Sequence, residues 1–283
     1  MAFGSSLDQV GPIGRDVEDV ATMLQCIGGH DPRDSTSNPE PMPDVRHYLG
    51  REIKGMKIGV PKEYFVSGME PGVRARIDEA LKTLESLGAE VDTSLSLPST
   101  EHALAVYYII APSEASANLA RYDGVKYGFS DRSGSTMWDN MEQTRAQGFG
   151  NEVKRRIMLG TYALSAGYYD AFYLKAQKVR TVINNEFAAA FAKYDVIVTP
   201  TTPTVAFPIG AKVDDPYAMY LNDVYTLPAS VAGLPSISVP CGFSENLPVG
   251  LQIIGNFNDE GRILQVASAF EGASKQSNLL AKL

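Results

Sequence analysis

The last quarter of the chain, residues 194–255, contains three short apolar runs that are separated by prolines and glycines. The first run, Asp195–Pro200, is rich in β-branched residues. The second, Leu234–Pro240, alternates apolar and hydroxyl residues, and the third, Pro248–Gly255, is apolar almost throughout. Such runs predict β-strands, and short strands that are apolar on both sides belong to sheets covered by helices. The pattern therefore predicts an α/β fold with a buried central sheet, in which ligands bind where strand ends meet loops.

A β-α-β unit precedes this region. Gly55–Val60 predicts a short strand that ends at Pro61, and Ala89–Asp92 predicts the strand that follows the connection. The connection has helical spacing and ends at Gly88, a residue typical of helix C-caps. A crossover of this length joins parallel strands. The apolar residues that line one face of the predicted helix are Val73, Ile77, Leu81, Leu84 and Leu87.

The middle of the chain has helical and loop character. Glu101–Arg121 is apolar and predicts a helix that is kinked or broken at Pro112. Arg121–Gly150 is polar and contains several glycines and serines, so it predicts a long loop, either a lid or a surface excursion. Helices are predicted to begin at Asn151 and to continue from Tyr168.

Composition places the chain among globular proteins. Of its 283 residues, 44% are apolar and 20% are charged. No run approaches the roughly 20 apolar residues that a membrane span needs, so a membrane is not an expected partner. The first residues lack the basic and apolar regions of a signal peptide, so the expected location is cytoplasmic.

Charge and cysteine content exclude several classes of site. The net charge of −8 argues against this surface as the main contact for a nucleic acid. The two cysteines, Cys26 and Cys241, lie in apolar contexts without disulfide or metal-binding spacing, and both are expected to be buried. The histidines are isolated, and no metal site is predicted.

The usual catalytic motifs are absent from residues 1–283. The sequence contains no GxSxG elbow, HExxH helix, phosphate loop or GxGxxG turn. The residues by themselves therefore do not identify an enzyme.

Several segments carry a family resemblance. TPTTP, MYLND, LPASVAGLPSISVPCGF and LPVGLQIIG resemble the C-terminal part of the amidase-signature family, and SSLDQVGPIGRDVEDV resembles the stretch that closes its signature region. Within the family, the sequences of these segments are most similar to those of the A subunits of glutamyl-tRNA(Gln) amidotransferases. The resemblance implies an amidase-signature α/β fold, with a central mixed sheet covered by helices on both faces and its N-terminal part missing. Residues 1–283 are expected to form one truncated domain, the C-terminal portion, with no clear internal boundary.

The catalytic residues of the family are not found here. The family uses a Ser nucleophile, a second Ser linked through a cis peptide and a Lys base, in motifs of the GGSSGGS and GSDTGGSIR type. Neither motif occurs between Met1 and Leu283. No residue is therefore assigned a catalytic role. The catalytic segment is expected upstream of Met1, and the chain alone is expected to be inactive.

The resemblance also implies a function and partners. The A subunits hydrolyse glutamine to glutamate and ammonia, and the ammonia passes to the B subunit, which amidates Glu-tRNA(Gln). The expected partners are glutamine and the B and C subunits of the amidotransferase, with tRNA contacted only through the B subunit. No cofactor is expected on this chain, because ATP and Mg²⁺ belong to the B subunit.

Substrate-binding residues are carried over from three matching motifs. Free glutamine is a zwitterion, so a selective site needs a guanidinium for the α-carboxylate and a carboxylate for the α-ammonium. By resemblance, Arg156 of VKRRIMLGTY and Asp223 of MYLND fill these roles, with Tyr107 of YYIIAPSEAS beside them.

Two alternatives remain open. One is a general amidase of the same family. The other is a non-catalytic scaffold or binding piece, which would bind the partner subunits without glutaminase activity.

Overall fold

A computed structural model describes residues 2–65, 68–211 and 219–274. Within these ranges a five-stranded sheet has the order β2-β1-β3-β5-β4. The strands are β1 (Lys57–Gly59), β2 (Glu90–Asp92), β3 (Val196–Pro200), β4 (Ser236–Ser244) and β5 (Leu247–Ile254). The three predicted strands of the last quarter and the two strands of the β-α-β unit are therefore confirmed.

The sheet is mixed, as predicted. Strand β1 pairs in parallel with β2 and β3, whereas β5 pairs antiparallel with both β3 and β4. Strands β4 and β5 form a hairpin whose two connecting residues, Glu245 and Asn246, have φ of 51° and 63°. Positive φ at both central residues is the geometry of a type I′ turn, which matches the twist of the flanking strands.

Helices flank the sheet, and the predicted fold class is confirmed. The longer helices are α1 (Val17–Ile27), α2 (Pro71–Ser86), α3 (Ala103–Asn118), α4 (Met137–Gly148), α5 (Asn151–Leu164), α6 (Lys175–Phe191), α7 (Leu227–Ala232) and α8 (Glu260–Ser274). Short 3₁₀ turns occupy Val45–Tyr48, Lys62–Tyr64, Pro98–His102, Leu119–Arg121 and Leu221–Asp223, and a π-helical turn occupies Asp170–Leu174.

The chain divides into two compact units. The helical unit comprises Met1–Gln9 and Ala105–Val182, and the sheet unit comprises Val10–Leu104 and Ile183–Leu283. The prediction of one truncated domain over residues 1–283 stays a prediction, because a division by contacts within this chain does not test it.

The core of the sheet unit lies between the sheet and the helices α1, α2 and α8. Alternate residues of the central strands point into this core, since successive side chains of a strand face opposite sides. The fully or almost fully buried side chains at this interface include Ile58, Val73, Ile77, Leu84, Val196, Val198, Leu251, Ile253, Val266, Ala267 and Phe270.

A close helix crossing organises the helical unit. A Cβ atom built on Gly160 of α5 would overlap the backbone carbonyl group of Pro112 in α3 and would lie 2.8 Å from the nitrogen of Ser113. Only glycine lets the two backbones approach this closely. Pro112 lies inside α3, which continues past it, so of the predicted kink or break the break does not occur.

The predicted loop from Arg121 to Gly150 is wrong over its second half, where α4 forms. Its N-terminus is a capping box in which Thr136 accepts the N–H of Asp139 and the Asp139 side chain accepts the N–H of Thr136. This helix buries little of its surface, so its sequence has no apolar periodicity, and local capping defines its start. The pair Thr136 and Asp139 is the sequence signal that could have predicted the start of this helix.

Candidate functional site

Arg156 is more enclosed than its neighbour Arg155 in the Lys154-Arg155-Arg156 run. Its side chain is 21% exposed, whereas that of Arg155 is 52% exposed. Consecutive helical residues point about 100° apart, so only one of two neighbours faces a given side. Arg156 lies one turn before Gly160, and the close crossing at that glycine brings α5 against α3, which carries Tyr107 and Tyr108.

The Arg156 guanidinium is held on several sides within the helical unit. Its Nε donates to Oε1 of Glu152 at 3.0 Å. The Tyr107 side chain also interacts with the guanidinium, and this interaction favours the charged form of Arg156. The rings of Phe3 and Tyr108 each lie with their centroid 5.9 Å from the guanidinium carbon. A guanidinium enclosed in this way has a fixed plane, as recognition of a planar carboxylate requires.

The electrostatics of the cluster keep Arg156 charged. Burial by itself lowers the pKa of a guanidinium, but the hydrogen bond with Glu152 and the interaction with Tyr107 outweigh burial and raise the pKa of Arg156. The side chain is therefore a permanent cation in a half-buried position.

The chain start, Phe3–Asp8, is fixed on the helical unit by polar contacts. Ser6 donates its hydroxyl and its N–H to the carboxylate of Glu114, at 2.5 and 2.9 Å. Arg180 donates to the hydroxyl and to the carbonyl of Ser6, at 2.7 and 2.9 Å. These contacts anchor the segment that carries the Phe3 ring to Arg156.

Asp223 lies in the sheet unit, at the end of the Leu221–Asp223 turn. Its carbonyl accepts the N–H of Thr226 at 3.1 Å and the hydroxyl of the same residue at 3.2 Å. Tyr225 is buried and stacks on Tyr64, with ring centroids 5.5 Å apart. Asp223 is thus exposed, and it lies on a turn that is held in place by the buried Tyr225.

A polar row crosses the sheet unit near this turn. The strand register places Thr199 of β3, Gln252 of β5 and Ser238 of β4 side by side. Gln252 is buried and its Nε2 donates to the Thr199 hydroxyl at 2.8 Å and to the carbonyl of Tyr225 at 2.9 Å. Gln252 therefore ties the turn that carries Asp223 to the sheet.

The structure brings two of the three predicted substrate residues together. Tyr107 and Arg156 share the helical unit and interact electrostatically, and Asp223 belongs to the sheet unit. Their roles toward glutamine stay predictions. Sequence reasoning missed Glu152, although a Glu four residues before an Arg on a helix is a recognised pairing signal. It also missed Gln252, whose partners are distant in sequence.

Cysteine and metal chemistry find little support in the described residues. Cys241 is buried, and burial raises the pKa of its thiol to about 12. Cys26 is exposed, so the expectation that both cysteines are buried is wrong for it, because the outer face of α1 carries it. In residues 2–65, 68–211 and 219–274 no group of three or more His, Cys, Asp or Glu side chains could hold a metal ion. Over the same ranges, every helix is too short or too polar to cross a membrane.

Comparison with known proteins identifies close relatives. The A subunit of glutamyl-tRNA(Gln) amidotransferase from Heliobacterium modesticaldum is 58% identical over 274 residues, which are 97% of this chain and 56% of that protein. The corresponding protein of Carboxydothermus hydrogenoformans is 59% identical over 271 residues, 96% of this chain and 56% of that protein. The chain thus spans about half the length of these relatives.

Solved structures share the fold. The A subunit of glutamyl-tRNA(Gln) amidotransferase from Thermotoga maritima matches with a TM-score of 0.77 and 43% identity, over 96% of this chain and 54% of that one. A bacterial aryl acylamidase of the amidase-signature family, 23% identical, matches in fold with a TM-score of 0.71 over 94% of this chain and 53% of that one. The family described as Amidase matches residues 1–264. The chain therefore belongs to the amidase family, the amidase-signature family that its motifs resemble.

Proposed function

We propose that this chain is part of a glutamine amidohydrolase subunit that supplies ammonia for converting Glu-tRNA(Gln) to Gln-tRNA(Gln). The observation that carries the proposal is the 58% identity to the A subunit of a glutamyl-tRNA(Gln) amidotransferase over 97% of the chain. Identity at this level over nearly the whole chain supports a shared substrate more strongly than a shared fold does, since one fold hosts many functions.

Glutamine recognition is assigned to three side chains. Arg156 binds the α-carboxylate through its planar donors, and Asp223 binds the α-ammonium. Tyr107 adds a hydroxyl, and its interaction with the guanidinium supports this placement. The half-buried, permanently charged Arg156 supports this assignment, because a guanidinium held between aromatic rings presents its planar donors to a carboxylate in a fixed orientation.

Hydrolysis needs groups that residues 1–283 do not contain. In the proposed reaction a serine oxygen bonds to the side-chain amide carbon of glutamine, the C–N bond breaks, and the amide nitrogen takes up the proton of the serine hydroxyl and leaves as ammonia. Water then hydrolyses the γ-glutamyl ester to glutamate. The serine, its partner serine and the lysine base would come from a segment with the GGSSGGS and GSDTGGSIR motifs, which this sequence lacks. The isolated chain is therefore proposed to be inactive.

The proposed partners follow from the relatives. The B subunit of the amidotransferase would receive the ammonia and carry ATP and Mg²⁺, and the C subunit would bind both chains. The net charge of −8 supports a division in which another chain holds the tRNA. Glutamine hydrolysis and the transfer of ammonia would take place in the cytoplasm.

Ammonia release tests the proposal. The purified chain should release no ammonia from glutamine. A chimera that joins the N-terminal segment of the Heliobacterium protein to this chain should release ammonia with glutamine preferred over neutral amides. Activity of the chimera on neutral amides without preference for glutamine would instead support a general amidase. Binding of the B and C subunits by an inactive chimera would support a scaffold.

A further inference from the structure

Glu152 connects two arginines in the first turns of α5. Its Oε1 accepts a hydrogen bond from the Nε–H of Arg156 at 3.0 Å, and its Oε2 accepts a hydrogen bond from Nη1 of Arg155 at 2.8 Å. The three side chains differ in exposure: Arg156 is 21% exposed, Glu152 46% and Arg155 52%. The enclosed arginine is thus tied to a carboxylate on its own helix one turn earlier.

The edge of the guanidinium that Glu152 contacts determines how a ligand can approach. A guanidinium binds a carboxylate either along its Nε edge or along the edge formed by its two Nη groups. Glu152 lies on the Nε edge, and the rings of Phe3 and Tyr108 lie near the guanidinium. Because the single Nε–H is donated to Glu152, a second carboxylate can make a two-point contact only along the edge formed by the two Nη groups.

We propose that Glu152 is a positioning residue, which holds Arg156 by its Nε edge so that the two Nη groups face the α-carboxylate of an amino-acid substrate. The proposal rests on the proposed function, since it requires that Arg156 bind that carboxylate. It adds a residue that acts only through another, because Glu152 itself, as an anion, would repel the α-carboxylate.

Glu152 has two opposing effects, which substitutions separate. Its oxygen fixes the plane of the guanidinium, and its negative charge weakens the attraction of Arg156 for any anion. Glu152→Gln keeps an acceptor oxygen and removes the charge. Glu152→Ala removes both. Arg155→Ala is the matched control, because it removes the exposed partner of the same carboxylate and leaves Arg156 in place.

The first measurement follows the Arg156 Nε–H by NMR in the 283-residue chain, with the resonance assigned by its loss in Arg156→Lys. Exchange of this proton with water should be roughly 10-fold faster in Glu152→Ala, since the hydrogen bond that protects it is gone. Glu152→Gln and Arg155→Ala should stay within about threefold of the unchanged chain. Unchanged exchange in Glu152→Ala would overturn the positioning role and leave the proposed function intact.

The second measurement is calorimetric titration with L-glutamine and with a neutral primary amide that has no α-groups. Glu152→Ala should weaken glutamine binding roughly 5- to 10-fold, and Glu152→Gln should stay within about threefold. Neutral amide binding should not change. Tighter glutamine binding in both Glu152 variants would show that the residue acts only as an opposing charge, and would overturn the inference. If the unchanged chain alone does not bind glutamine, the same titration is made with the chimera, and absence of binding there as well would contradict the proposed function and with it any ligand role for Glu152.

Discussion

Gly160→Ala tests the helix crossing that places Arg156 near Tyr107. The new Cβ would overlap the Pro112 carbonyl group and approach the Ser113 nitrogen to 2.8 Å, whereas ordinary Cβ contacts begin at about 3.4 Å. Both neighbours are backbone, so no side chain can rotate away. Helices α3 and α5 must separate, or one of them must distort.

The expected cost can be worked from two opposing terms. Alanine is better than glycine inside a helix by about 1 kcal/mol. Overpacking costs about 1–3 kcal/mol, and the upper end applies here because two rigid backbones meet. The unfolding free energy should therefore fall by about 2 kcal/mol. The Arg156 side chain lies one turn away, so its interaction with Tyr107 should weaken as well.

Gly272→Ala is the matched control. Gly272 also lies inside a helix, α8, but a Cβ built there meets nothing within 4 Å. This variant should gain about 0.5–1 kcal/mol. Urea unfolding followed by circular dichroism compares the two variants with the unchanged chain. A Gly160→Ala chain that is as stable as Gly272→Ala would refute the close crossing.

Three further predictions concern charge, buried polar contacts and the site. Burial raises the pKa of the Glu271 carboxyl above its ordinary value of 4.5. The stability that this group contributes is therefore present below pH 4.5 and is lost as the pH rises through the raised pKa. Urea unfolding at several pH values should show that Glu271→Gln removes this part of the pH dependence. Gln252→Met should lower the unfolding free energy by about 1–3 kcal/mol, since the buried hydrogen bonds of Gln252 to Thr199 and to the Tyr225 carbonyl are lost. A loss below about 0.5 kcal/mol would contradict this interpretation of the polar row. Tyr107→Phe should weaken glutamine binding by about 0.5–1.5 kcal/mol through its contact with Arg156, measured by calorimetry, and no change would exclude the hydroxyl from the site.

The strands were predictable because burial on both faces leaves a clear apolar run. Strand β3 is buried at every position, and the sequence of Asp195–Pro200 shows it directly. Helix α4 was not predictable in the same way, because it buries almost none of its surface and its start depends on the capping pair of Thr136 and Asp139. Periodicity reports burial, so it does not report a helix that is stabilised locally.

The candidate site was predictable only where residues act along one helix or through family motifs. The pairing of Glu152 with Arg156 is a local spacing, and it can be recognised from sequence. Gln252 contacts the carbonyl of Tyr225 through the tertiary fold, 27 residues away in sequence, and no local pattern indicates that contact. The close crossing at Gly160 likewise could not be predicted from the local sequence, because it depends on the contact with the Pro112 backbone in another helix.

Selectivity for the charged groups of glutamine is the most direct test of the proposed function. In the chimera with the Heliobacterium N-terminal segment, kcat/KM is measured for L-glutamine and for a neutral amide without α-groups. Arg156→Ala and Asp223→Ala should each lose about 2–5 kcal/mol on glutamine, because each leaves one substrate charge unpaired, which is roughly 30-fold to several thousand-fold at about 25 °C. Arg156→Lys should also be impaired, since an ammonium cannot make the planar two-point contact. Activity on the neutral amide should hardly change. Equal losses on both substrates would show that Arg156 and Asp223 support the fold and do not recognise glutamine.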